Sequence, residues 1–178
     1  MQELIARAKE LLADGTVVRV LGWKAGDLPY NPEAAYFETA ESLDEFVYNG
    51  FCGQNLSKMM IEASKLEGKT LVCLKPCDTY SFNQLLTEHR FPRERVYAVG
   101  VPCAGMVDVT RLKMRVDGIT AVDGGSDALT VETLYDGTVS VPYADVLPDR
   151  CQNCKSKKHV AYDELLGTDG EVQDSHRF

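Results

Sequence analysis

A long apolar run is missing from this sequence. No stretch of its 178 residues is long enough to cross a bilayer, and the N-terminal MQELIARAKELL is a charged amphipathic segment rather than a secretory signal. The expectation is a soluble, cytoplasmic protein with no transmembrane segment. Positive charge is also short: 19 Lys and Arg stand against 27 Asp and Glu, a net charge of −8. Such a chain repels polyanions, which argues against nucleic acid as its main partner. Histidine is scarce, and none of His89, His159 and His176 lies in a motif that supplies a base to a nucleophile. No G-x-G-x-x-G follows a strand, so a flavin cofactor has no motif behind it. Repeats and low-complexity segments are absent too.

What remains is an ordinary globular composition, 44% hydrophobic, with six cysteines. The length suits one sizeable domain, or a domain with a small appendage. An even number of cysteines admits disulfides, but without an export signal the thiols stay reduced, so metal and redox roles gain weight.

The periodicity predicts an α/β chain: a three-layer domain with a mostly parallel sheet, plus a small antiparallel β subdomain. The expected division is 1–112 for the α/β domain carrying Cys52, Cys77 and Cys103, 113–147 for an antiparallel insert or flap, and 148–178 for a C-x-x-C segment and a loose tail. Within the first part, a helix is expected over Gln2 to Ala13 and a strand over Thr16 to Leu21. A loop from Gly22 to Pro32 then holds the only tryptophan, Trp23, followed by a strand over Ala34 to Glu38, a short helix from Ser42 and a helix over Asn55 to Leu66. Met114 to Leu147 alternates strand-like stretches with turns, and Tyr135-Asp136-Gly137-Thr138 is a two-residue hairpin pattern. The turn Asp123-Gly124-Gly125-Ser126-Asp127 lacks the ligand spacing of a calcium loop. Tyr36, Trp23 and Tyr143 are expected to pack in the core.

The most informative stretch is Thr70 to Met106. Thr70 to Leu74 and Val96 to Gly100 are apolar runs with the length of strands buried on both faces. Between them Phe82, Leu85, Leu86 and His89 recur at helical spacing, with Thr79 or Ser81 as the cap and Pro92 limiting the end. Strand, helix, strand makes a crossover unit with parallel strands, roughly 4.8 Å apart where they are neighbours. Cys77 and Cys103 each lie three residues past their run, so matched loops bring two thiols to the sheet edge where ligands of open α/β sheets bind. Pro76 and Pro102 stiffen these loops, and Gly105 lets backbone approach a bulky ligand.

Cys151 and Cys154 form a C-x-x-C, a half-site common to zinc and iron–sulfur proteins. Two loop cysteines and this pair make four thiolates, enough for a tetrahedral zinc site or a [4Fe-4S] cubane. The scattered ligand groups favour the wider cubane, and a dithiol redox motif at 151 and 154 is a third reading. Cys52 is flanked by glycines just before a helix, where its thiolate gains from the helix dipole, as a ligand or a nucleophile. Cys73 sits inside a strand and belongs to the core. Lys155, Lys157, Lys158 and His159 form a basic cluster that suits an acidic partner, the charge of a thiolate-bound cluster, or plain solvent.

Three segments together resemble a known family. Lys75-Pro76-Cys77-Asp78, the GVPCAGMVD run over 100–108, and CQNCKSKKHVAYDELLG over 151–167 are similar to the coenzyme F-420 hydrogenase/dehydrogenase beta-subunit family, and more narrowly to its ferredoxin-linked branch. Cys52 followed by Asn55-Leu56 fits as well. The resemblance covers about residues 50–167. It implies a cytoplasmic iron–sulfur electron-transfer subunit, with one [4Fe-4S] cluster, inside a larger redox complex of hydrogenase, formate dehydrogenase or heterodisulfide-reductase type. It implies Cys52, Cys77, Cys103, Cys151 and Cys154 as candidate ligands, one more than a cubane needs. Lys75, Pro102 and Gly105 are the expected cofactor-side residues, with Lys75 and Lys155 offsetting cluster charge. Members of the branch continue into a ferredoxin-type domain that this sequence does not carry, so a separate ferredoxin-type protein and other redox subunits are the expected partners. On this reading the chain is a non-catalytic subunit of an oxidoreductase. The rival readings are a zinc-stabilised scaffold subunit and a thiol-based redox enzyme working through Cys52.

Overall fold

A computed structural model describes residues 1–124 and 127–171. Gly125 and Ser126 of the expected 123–127 turn, and the tail from 172 to 178, including His176, lie outside the described residues. The expected α/β class is what the chain adopts: a five-stranded, mostly parallel sheet and a separate three-stranded antiparallel sheet, with helices.

Helix α1 (Gln2–Ala13) buries Leu4, Ala8 and Leu11, one stripe at helical spacing. Strand β1 (Arg19–Lys24) begins three residues later than the apolar run Thr16 to Leu21 suggests. Thr16 and Val17 finish the helix exit instead, bonding to the Asp14 carboxylate and the Leu11 carbonyl. Gly22 and Trp23, read as loop, continue the strand and pair with Ala35 and Ala34 of β2 (Glu33–Phe37). Gly22 is required there: a Cβ would stand 2.1 Å from the Phe46 ring. Trp23 is fully buried and Tyr143 nearly so, as expected, but Tyr36 on edge strand β2 is 40% exposed.

A short 3₁₀ turn, Leu56–Met59, runs into α2 (Met60–Ala63) and is capped by Asn55, whose side chain accepts the Ser57 N–H. Strand β3 (Thr70–Leu74) is buried at every position and pairs in parallel with β4 (Val96–Gly100), Thr70 opposite Val96 and Leu74 opposite Gly100. Helix α3 (Pro76–Thr87) joins them, so the expected crossover is present. It starts earlier than Thr79 because Pro76 sits in its first turn, where a missing N–H costs nothing.

The sheet order is β2-β1-β3-β4-β8, where β8 is Glu164–Leu165, with β2 antiparallel and the others parallel. The last strand, β8 (Glu164–Leu165), is two residues long and has no apolar run to announce it. Side chains hold it: the Asp163 carboxylate accepts the Ala98 N–H at 2.6 Å, and Glu164 accepts from Arg7 and Tyr97 at 2.9 Å.

Helix α4 (Val109–Lys113), not expected from the sequence, is capped by Asp108 and leads into β5 (Ile119–Gly124), β6 (Ala128–Thr133) and β7 (Thr138–Pro142). The β6–β7 connection spans 134–137 rather than two residues, because Thr133 closes it with side-chain and backbone bonds to the Gly137 carbonyl. Leu112, Val116, Leu129, Val131, Val141, Tyr143 and Val146 form a second buried cluster beside the main core. Two short helices follow, α5 (Tyr143–Val146) and α6 (Asp149–Gln152). No helix among the described residues is long and apolar enough to cross a membrane.

Candidate metal centre

Because β3 and β4 end in register, Cys77 and Cys103 leave the sheet side by side. Cys77 is in the first turn of α3 rather than in a loop; Cys103 follows Pro102 in an irregular turn. Cys151 lies in α6 and Cys154 just after it. These four cysteines wall one cavity of about 870 Å³, together with Lys75, Asp78, Gly105, Leu147, Arg150, Lys155 and Lys157. Gly105 makes the approach possible. Its φ is +111°, and a Cβ there would stand 2.7 Å from Leu147 and 3.6 Å from the Cys151 Cβ. Tyr143 fixes the same turn by donating to the Gly105 carbonyl at 2.9 Å. Pro102 does not wall this cavity. It lines a neighbouring one of about 570 Å³ that shares Cys103, Gly105 and Pro76 and is bordered by Tyr48, Asp123 and Tyr143.

The return of the C-terminal segment is what places the C-x-x-C. The His159 ring is buried between two acceptors, with Nε2 3.1 Å from the Leu74 carbonyl at the end of β3 and Nδ1 against the Asp169 carboxylate. The Val160 N–H donates to the Thr79 hydroxyl at 3.1 Å, pinning the segment to the first turn of α3. On the other side, Arg111 bonds the Leu147 carbonyl and the Asp149 carboxylate, each at 2.6 Å. Neither His159 nor Asp169 carries a sequence pattern that marks this role, since their partners are ten and 85 positions away.

Beneath the cavity lies a buried ion pair. Lys75 and Asp78 have side chains 2% and 3% exposed, with Nζ 2.7 Å from Oδ2. The ammonium also donates to the Gln54 and Cys52 carbonyls at 2.8 and 3.1 Å and lies 4.7 Å from the Trp23 ring centroid. Burial raises the Asp78 carboxyl above its ordinary value although Lys75 opposes this. The Cys77 thiol, exposed on the cavity wall and facing Asp78, is pushed up to about 12 by desolvation and then by that carboxylate. Cys103 is raised for the first of these reasons. A metal bound through Cys77 and Cys103 would have to displace their protons.

Cys52 is not brought to the cavity. It is fully buried in the main core, its sulfur 3.4 Å from the Asn49 N–H, and burial pushes its thiol up to about 11. That opposes the activation expected of a helix N-terminus, because only a short 3₁₀ turn follows and desolvation outweighs it. Cys73 is core, as its strand position implied. The cavity gathers four thiols from three separate chain segments, with an ammonium below them, and thiols are the donor type that zinc and iron–sulfur centres use. Among the described residues, no three His, Cys, Asp or Glu side chains are drawn together as they would be around a single ion.

Asp169→Asn tests the clamp. The Asp169 carboxyl is held below its ordinary value of 3.8 by the bond to His159. A depressed carboxylate contributes its stability above the unfolded value and loses it as pH falls through the folded one. The substitution is expected to cost about 1–3 kcal/mol at neutral pH. In urea titrations the gap from the native protein should close below pH 3.8; a gap that persists there refutes the ionic role.

No family model matches the chain, and no curated protein does. Among solved structures it is similar to a chain of the F420-reducing [NiFe] hydrogenase complex from Methanosarcina barkeri, with a TM-score of 0.64 and 16% identity. The match covers 86% of this chain and 58% of that one, so this chain spans little more than half the neighbour's length. At that identity the likeness is one of fold.

Proposed function

We propose that this chain is an iron–sulfur electron-transfer subunit of a larger cytoplasmic redox complex and belongs to the coenzyme F-420 hydrogenase/dehydrogenase beta-subunit family, in its ferredoxin-linked branch. One observation carries the reading: Cys77, Cys103, Cys151 and Cys154, from three distant segments, wall one cavity at the carboxyl edge of a parallel sheet. The fold likeness to a chain of a hydrogenase complex supports it. The four thiolates would hold one [4Fe-4S] cluster, which supplies one-electron uptake and release. Lys75 offsets the charge of the thiolates from beneath, and Cys52 stays outside the ligand set, under the same loop. The expected partners are other redox subunits and a ferredoxin-type protein. The expected chain division is an α/β part at 1–112, an antiparallel part at 113–147 and the closing segment 148–178. Flavin remains without a motif and forms no part of this proposal.

Anaerobically purified protein is expected to be brown, with broad visible absorbance and about four iron atoms per chain. A folded, colourless anaerobic sample containing about one zinc per chain replaces this reading with the zinc-stabilised scaffold. A folded sample with neither metal overturns both.

A further inference from the structure

The rim of the thiol-lined cavity carries more positive charge than the rest of the molecule would suggest. Arg150, Lys155 and Lys157 line it, and Lys158 follows at once; Arg150, Lys155 and Lys158 are exposed and Lys157 half-buried. None of the four makes an ion pair with a described residue, whereas Arg111 is satisfied by Asp149, the residue next to Arg150, at 2.6 Å. The acidic residues lining the cavity are Asp78, neutralised by Lys75, and Glu171. Exposure separates two roles. Lys75 is sealed beneath the cavity and offsets charge inside it, while the rim cations face outward. A chain of net charge −8 whose four cations around the candidate redox centre have no ion-pair partner among the described residues presents a local attractive field to an acidic surface and a repulsive one elsewhere.

We propose that the rim of Arg150, Lys155, Lys157 and Lys158 is the docking surface for a small acidic electron-carrier protein. This rests on the iron–sulfur reading above and adds the place and chemistry of the encounter. The carrier seats over the cavity mouth, and one electron passes between its centre and the thiolate-held centre, one oxidised as the other is reduced, with no bond made or broken. The contact is of the weak, transient class, held by charge and short-lived. It is screened by salt, since the Debye length falls to about 8 Å at physiological ionic strength.

The test uses the full chain, purified anaerobically, and an acidic plant-type [2Fe-2S] ferredoxin as probe. Binding is measured by titration at 20 and 200 mM salt, about an order of magnitude apart in screening ions. The native protein is expected to bind about tenfold more weakly at the higher salt. The charge-reversal variant Arg150→Glu/Lys155→Glu/Lys158→Glu is expected to bind at least about thirtyfold more weakly at the lower salt. The milder Arg150→Gln/Lys155→Gln/Lys158→Gln should fall between them. Equal binding by native and reversed proteins overturns the proposal, as does preference for a basic c-type cytochrome. Salt-sensitive binding of a single-stranded oligonucleotide as tight as that of the ferredoxin overturns it too, by making the rim a general polyanion site. Iron is quantified in the same samples, so an iron-free native protein marks failure of the iron–sulfur reading, while unchanged binding in iron-loaded variants marks failure of the docking surface.

Discussion

Anaerobic Cys103→Ser protein is expected to drop from about four iron atoms per chain to fewer than about one, and to lose its visible absorbance. Cys103 is half-buried on the cavity wall, next to the Gly105 turn that approaches Cys151, so on the proposed reading its sulfur is a ligand rather than a core side chain. Serine preserves the size and leaves the Pro102 and Gly105 turn intact. Serine at Cys77, Cys151 or Cys154 should act alike, because each lines the same cavity and is one of the four proposed ligands. Cys52→Ala is the discriminating control. Cys52 is buried off the cavity, so the alanine protein should keep its iron, though with some loss of stability from the small void. Iron and the absorbance spectrum are read beside far-UV circular dichroism. A folded Cys103→Ser protein with full iron removes Cys103 from the ligand set, and a folded, iron-free Cys52→Ala protein puts Cys52 into it.

The reason Cys77 and Cys103 could be paired from sequence is local. Two five-residue apolar runs at a helix-length interval have few arrangements other than a parallel crossover, and a parallel register carries the same offset past each strand to the same edge. The antiparallel stretch was legible for a similar reason, since alternation of apolar and polar residues survives without knowledge of the partner. What failed depended on distant contacts. Gly22-Trp23 reads as loop until Phe46 is seen lying against the glycine. The two-residue β8 is held by the carboxylates of Asp163 and Glu164, not by apolar side chains, so hydrophobic periodicity is silent about it. The clamp of His159 between Leu74 and Asp169 is invisible for the same cause, although it is what delivers the C-x-x-C to the other two thiols. At Cys52 the glycines and the following helix suggest a favoured thiolate, while the tertiary fold buries the thiol. Lys75 was legible as a cavity residue but not as a fully buried one, since lysine is almost never sealed away unless paired.

That burial makes Lys75→Met a strongly destabilising change. Methionine matches much of the volume and removes only the ammonium. Asp78 is then a buried carboxylate with no counter-charge, and the carbonyls of Cys52 and Gln54 lose a donor. Breaking one side of a sealed ion pair costs about 3–5 kcal/mol, which for a chain of this length lowers the melting temperature by roughly 10 °C or more. Two further measurements assign the loss to the pair. Burial already holds the Asp78 carboxyl above its ordinary value, and removing Lys75 takes away the group that opposed this. A raised carboxyl is the one that folds best protonated, so the deficit of the Lys75→Met protein should shrink as pH falls from 7 towards 5, read by urea titration. Asp78→Asn in the same chain removes the stranded charge while keeping an acceptor for the start of α3, and should restore about half of the lost stability. A deficit independent of pH, or a double variant no better than the single one, would show that Lys75 matters for its hydrogen bonds to the Cys52 loop rather than for its charge. In that case iron content decides its remaining role: a merely structural lysine leaves four iron atoms per surviving folded chain, whereas one that compensates thiolate charge does not.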